Sequence, residues 1–114
     1  MNRSHETFER SKKMKTLRQG DVLLIRVRRC PSTATQKEDG CILARGETTG
    51  HAHRIGEGAE IFVDVNDHGR RYLRVFKDTY LDHEEHTRVA LSIGDYEIVR
   101  QREYTPQAVR VVSD

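Results

Sequence analysis

Apolar residues in this chain come in short packets. After residue 18 no long segment sustains a 3.6-residue period, and β-prone runs end instead on Gly, Asn or Asp. The runs are VLLIRVR (22–28), CILAR (41–45), HAHRI (51–55), AEIFVDV (59–65), RRYLRVF (70–76), RVALSI (88–93) and DYEIVRQREY (95–104). In 59–65 Ile61, Val63 and Val65 alternate with polar neighbours, which is the pattern of a half-buried strand. NDHG (66–69) is a strong hairpin signal because Asn, Asp and Gly tolerate positive φ. One stretch, TPQAVRVV (105–112), predicts a helical turn, with Thr105 as cap and Pro106 opening it. Short strands with such regular punctuation predict an all-β fold, a small antiparallel β-sandwich or barrel.

A chain of 114 residues fits one domain that can bury a core without staples. Hydrophobic residues are 35% and charged residues 33%, so the core must be drawn from those short runs. Residues 1–18 differ from the rest: Arg3, Arg10, Lys12, Lys13, Lys15 and Arg18 share the segment with only Phe8, Met14 and Leu17 as apolar anchors. This reads as a flexible basic arm, leaving 19–114 as the β domain. The net charge of +2 is too mild to argue for nucleic-acid binding by itself. The first fifteen residues lack the apolar middle of a signal peptide, and no run approaches the roughly 20 apolar residues of a membrane span. A soluble, cytoplasmic protein is expected. Cys30 and Cys41 are then expected to be free thiols, and their spacing does not suit a Cys-x2-Cys zinc site.

Chemistry concentrates in the histidines. Of six in the chain, His51 and His53 stand two apart in a predicted strand, so both imidazoles face one side, with Cα atoms about 7 Å apart. About thirty residues on, DHEEH supplies His83 and His86 around Glu84 and Glu85. As a helical turn it would align the two histidines; extended, it would align each with a glutamate. Neutral imidazole is a common ligand for zinc, manganese, iron or nickel, but two from one strand cannot fill a coordination shell. A metal reading therefore requires the two segments to meet in space.

The run His51-Ala-His53-Arg-Ile-Gly-Glu57 resembles the first metal-binding motif of the cupin family, His-x-His-x3-Glu. That resemblance implies a divalent metal held by His51, His53 and Glu57 inside a small barrel, completed by a histidine that follows a Pro-x-Gly turn. In the corresponding SIGDYEIV, Ser92 stands where the proline is expected and Glu97 where the histidine would fall. The wider order QGDVLL, GHAH, HEEH, QREYTP also resembles small proteins of bacteria and phages, a likeness that implies no activity.

Basic residues suggest an anion surface. Arg54 lies between the histidine motif and Glu57, and Arg100 and Arg102 share one strand face, with Tyr104 placed to stack a base or sugar. The same charges also suit an edge strand that discourages pairing. Three functions follow: a divalent-metal site that hydrolyses a phosphodiester or nucleic acid, with Glu85 as the proton acceptor; a non-catalytic module binding nucleic acid or protein; or a metal-free histidine acid–base ribonuclease.

Overall fold

Gly20 and Asp21 close the first hairpin. β1 (Thr16–Gln19) and β2 (Val22–Val27) pair antiparallel with Gln19 opposite Val22, so only two residues make the turn. Gly20 has φ of 60°, which suits the first loop position of a type II′ turn. The computed structural model describes residues 16–46 and 50–101. The other strands are β3 (Gln36–Glu38), β4 (Ile42–Arg45), β5 (Ala52–Ile55), β6 (Ala59–Asp64), β7 (Arg70–Val75), β8 (Thr79–Asp82), β9 (Val89–Leu91) and β10 (Gly94–Arg100).

Two antiparallel sheets result, one of six strands in the order β1-β2-β10-β7-β6-β3 and one of four in the order β4-β5-β8-β9. The predicted all-β antiparallel sandwich is therefore the fold. Val22, Leu24, Ile61, Leu73, Val75 and Tyr96 of the large sheet face Leu43, Ala44, Ile55, Leu81 and Leu91 of the small one. Full burial of each such leucine or isoleucine stabilises the fold by about 1.5–3 kcal/mol. Alternation also serves the other face: Tyr72, next to Leu73 in β7, packs outward with Phe62, Cys30 and Ala34. No helix long and apolar enough to cross a membrane occurs among the described residues.

Some elements differ from the sequence expectation. Strand β1 starts at Thr16, so Thr16, Leu17 and Arg18 belong to the domain and not to the arm, because Leu17 packs against the core. Residues 1–15 and the helical turn expected at 105–112 lie outside the described residues. β3 carries no apolar side chain; backbone pairing and the Lys37–Glu60 ion pair hold it on β6, and Glu38 reaches past that strand to Arg71 of β7. β8 was hidden in the segment before the second histidine pair, although Thr79 and Leu81 alternate inward. In the NDHG turn it is His68 and Gly69 that take positive φ, at 57° and 68°, while the Asp64 carbonyl accepts N–H bonds from Asp67 and Gly69.

Candidate metal centre

His53 and Ile55 lie two apart on β5 and share its inner face. Ile55 enters the core, and His53 sits at the end of that core, opposite Ala44 and only 1% exposed. His51 precedes the strand and closes the link from β4, its carbonyl accepting a 2.8 Å bond from the Gly46 N–H. After β8 the chain bends through residues 83–86 as neither helix nor strand. Glu84 pins this loop onto β5: its Oε1 accepts the Ala52 N–H at 2.9 Å and its Oε2 accepts from Arg54 at 2.8 Å. Those bonds hold the Glu84 carboxyl down at a pKa of about 2, the Ala52 backbone N–H contributing most and Arg54 next.

The loop so pinned brings His83 and His86 over His53. Ring centroids are 4.4 Å apart for His53 and His83, 4.6 Å for His83 and His86, 6.0 Å for His53 and His86, and 5.7 Å for His51 and His83. Imidazoles that share one ion at ~2 Å per bond have centroids on the order of 4.5–5.5 Å apart; the His53–His83 and His83–His86 pairs come near that spacing, and the other two pairs are wider. The rings border a cleft of ≈ 310 Å³ with Gly20, Asp21, Gly46 and Glu85. A Cβ on Gly20 would stand 2.7 Å from His86 Nε2, and one on Gly46 would stand 3.1 Å from His83 Nε2. A side chain at Gly20 would displace His86, and one at Gly46 would crowd His83.

Gln19 fixes the state of His53. Its amide nitrogen donates to the carbonyls of Leu81 (2.8 Å) and Thr87 (3.0 Å), which uses both N–H groups. Its oxygen therefore faces His53 Nδ1 at 2.9 Å, and Nδ1 must carry the proton. Nε2 is left as a lone pair, 3.7 Å from Asp21 Oδ1. Burial pushes the His53 pKa down to about 4; His83 adds to the fall, Asp21 opposes it, and His86 and Arg100 lower it further. The ring is neutral at pH 7 with its donor atom set. Gln19→Ala should destabilise the metal-free fold by about 2 kcal/mol, since buried partners lose their bonds. Urea melts measure this, and ¹⁵N NMR of His53 should show the proton no longer confined to Nδ1.

His83 is set the opposite way. With the Glu85 N–H donating to its Nδ1 at 3.0 Å, the neutral ring carries its proton on Nε2, so His83 can ligate a cation only by releasing that bond. Asp21, whose Oδ2 accepts from Arg100 Nε and Nη2 at 3.0 and 2.9 Å, is held beside the cleft by that arginine.

A family described as a domain of unknown function (DUF8820) matches residues 18–101. The chain belongs to that family. No curated protein and no solved structure matches it. The matched span of this DUF8820 domain holds every residue of the cleft, from Gly20 to His86.

Within the DUF8820 domain the four histidines singled out by spacing, His51, His53, His83 and His86, are brought together. Glu85 joins them, its Oε2 3.7 Å from His51 Nδ1. Glu57 does not line the cleft: β5 ends at Ile55, and the turn at Gly56–Gly58 carries Glu57 into solvent. Glu97, at the position where the cupin pattern expects a histidine, bonds Arg70 instead. Arg54 and Arg100 are engaged by Glu84 and Asp21 rather than forming a common anion surface. Arg102 and Tyr104 lie outside the described residues. Neither cysteine borders the cleft; Cys41 is exposed, and the Cys30 thiol is pushed up to about 11 by burial and then by Asp95. Sequence reasoning missed Gln19, Asp21 and the two glycines, and named Glu84 beside the second histidine pair without its role in pinning the loop. The Gly-Asp pair at 20–21, which suits a turn, is the trace that Gln19 and Asp21 leave in the sequence.

Proposed function

We propose that the cleft binds a divalent transition metal through imidazoles drawn from His51, His53, His83 and His86. The observation that carries this reading is His53: buried, neutral, and held by Gln19 with Nε2 as the lone pair. Metal-binding histidines commonly donate the other ring N–H to such an oxygen, which sets tautomer and orientation. A bound cation would supply Lewis acidity and an acidified water, so the reaction proposed is hydrolysis, with the exposed Glu85 carboxylate taking the proton. A phosphodiester is the first substrate class to test, because a bound divalent cation would polarise a phosphoryl oxygen as well as acidify the attacking water. Zinc, manganese, iron and nickel all suit the donor set.

A metal-free acid–base pair is the second reading. It is favoured by the His83 ring standing 4.4 Å from that of His53, whose Nε2 could accept a proton; to act as the acid, His83 would first have to take a second proton at Nδ1, which the Glu85 N–H now faces. The His53 pKa of about 4 weighs against it, since a general base works best with a pKa near the working pH.

Elemental analysis of protein purified without a histidine tag separates the two. The metal reading expects a transition metal retained in near-stoichiometric amount, and hydrolysis of a model phosphodiester that stops with chelator and returns with metal. Hydrolysis indifferent to chelator would hand the site to the acid–base reading. Absence of both metal and hydrolysis would leave a binding module.

A further inference from the structure

A second cavity, of ≈ 320 Å³, opens beside the outward cluster of the large sheet, at the end away from the histidines. β2 leads there: it leaves the Gly20–Asp21 turn at Val22 and runs roughly 17 Å, at about 3.3 Å per residue, to Val27. The chain then turns through Pro31 to Ala34, closed by a 3.0 Å bond from the Ala34 N–H to the Pro31 carbonyl. Asp95, opposite Val27 on β10, ties this loop to β7. Its Oδ2 accepts the Cys30 N–H at 2.7 Å, and its Oδ1 pairs with Arg74 Nε at 3.5 Å. Arg74, held in this way, lies over the Phe62 ring, 5.6 Å from its centroid.

Arg29, Ser32 and Arg74 line the cavity with polar groups, and Pro31, Ala34 and Phe62 with apolar ones; no carboxylate borders it among the described residues. Asp95 offsets Arg74, whereas Arg29 and the Ser32 hydroxyl have no hydrogen bond or ion pair among the described residues. Burial and then Asp95 push the Cys30 thiol up to about 11, so at pH 7 it is neutral and does not repel an anion. Two guanidiniums with one carboxylate near them leave positive charge unmatched, and their planar N–H forks suit phosphate oxygens. We propose that this cavity binds a phosphate monoester, the phosphate held by Arg29, Arg74 and Ser32 and a flat organic substituent lying against Phe62 and Ala34. The volume is at the small end of the ~300–1,000 Å³ of small-molecule sites, which suits a ligand of that size. The site is independent of the metal reading, and no histidine borders it among the described residues.

Titration of the full chain with phenyl phosphate in chelator, followed by ¹H–¹⁵N NMR, tests this. The Ser32 amide and the Arg29 and Arg74 Nε–H signals should shift together and saturate at one equivalent. Inorganic phosphate should move the same signals with weaker affinity, and phenol should move them little. Arg29→Gln should weaken phenyl phosphate roughly threefold to tenfold without changing the melt, since no bond within the described chain is lost. Arg28 is exposed but does not line the cavity, so Arg28→Gln should have little effect. His86→Ala should bind phenyl phosphate as the wild type does. Equal losses in Arg28→Gln and Arg29→Gln, or shifts that spread over the exposed arginines without saturating, would mean diffuse attraction and overturn the site. Shifts confined to the histidine cleft, or phenol binding as well as phenyl phosphate, would overturn it too.

Discussion

With zinc at about 100 times its Kd, the protein should gain on the order of 2.7 kcal/mol of stability, and His53→Ala should give up most of it. A ligand that binds only the folded state stabilises it by RT ln(1 + [L]/Kd), so the rise in melting temperature should grow with metal concentration. His53 is also a buried partner of Gln19, and its removal should therefore cost the metal-free protein about 1–3 kcal/mol as well. His86 separates these effects. It is exposed and contacts the other rings, so His86→Ala should lose metal-dependent stabilisation while leaving the metal-free melt nearly unchanged. Equal metal responses in wild type, His53→Ala and His86→Ala would remove those histidines from the site.

In chelator, stability should fall as pH drops from 6.5 to about 4. An unfolded chain takes a proton on His53 near pH 6.5, whereas the folded chain takes it only near 4. Between those values the unfolded state binds more protons, so each step down in pH favours unfolding. The full contribution is present above pH 6.5 and is gone below about 4, a loss on the order of 3 kcal/mol. Glu84 acts in a lower window: its depressed pKa gives stability that is present above about pH 4.5 and fades toward pH 2. Urea melts across this range test the assignment. His53→Gln should flatten the upper window and leave the lower one. A wild-type profile already flat between pH 6.5 and 4 would mean that the ring is not held neutral by burial.

β6, β7 and β10 were legible because each sets apolar residues between turn signals, and Ile61, Leu73, Val75 and Tyr96 among them are buried. β3 was not, since backbone pairing and charged partners leave no apolar trace in Gln36–Glu38. The histidine pairs announced themselves by spacing, but their meeting depends on Glu84 accepting the Ala52 N–H, a backbone bond with no residue signature. Gln19 was invisible for a similar reason: three bonds to distant partners make it structural, and nothing in its neighbours tells of them. Glu57 misled because its spacing fits a ligand only if β5 does not end two residues earlier.

β4 forms one border of the four-stranded sheet, a place where an unpaired strand could recruit a strand from another molecule. Two carbonyls on it are already engaged: Leu43 O accepts Arg71 Nη1 at 2.7 Å and Arg45 O accepts Arg100 Nη2 at 3.2 Å. Guanidinium groups from the opposite sheet thus stand where a neighbouring chain's amides would go, and a docking strand would first have to displace two cations. Arg100 does this with the same side chain that holds Asp21 against the histidines. Half of that cover and the upkeep of the cleft are therefore tied to one residue, and a mutation of Arg100 should weaken both at once.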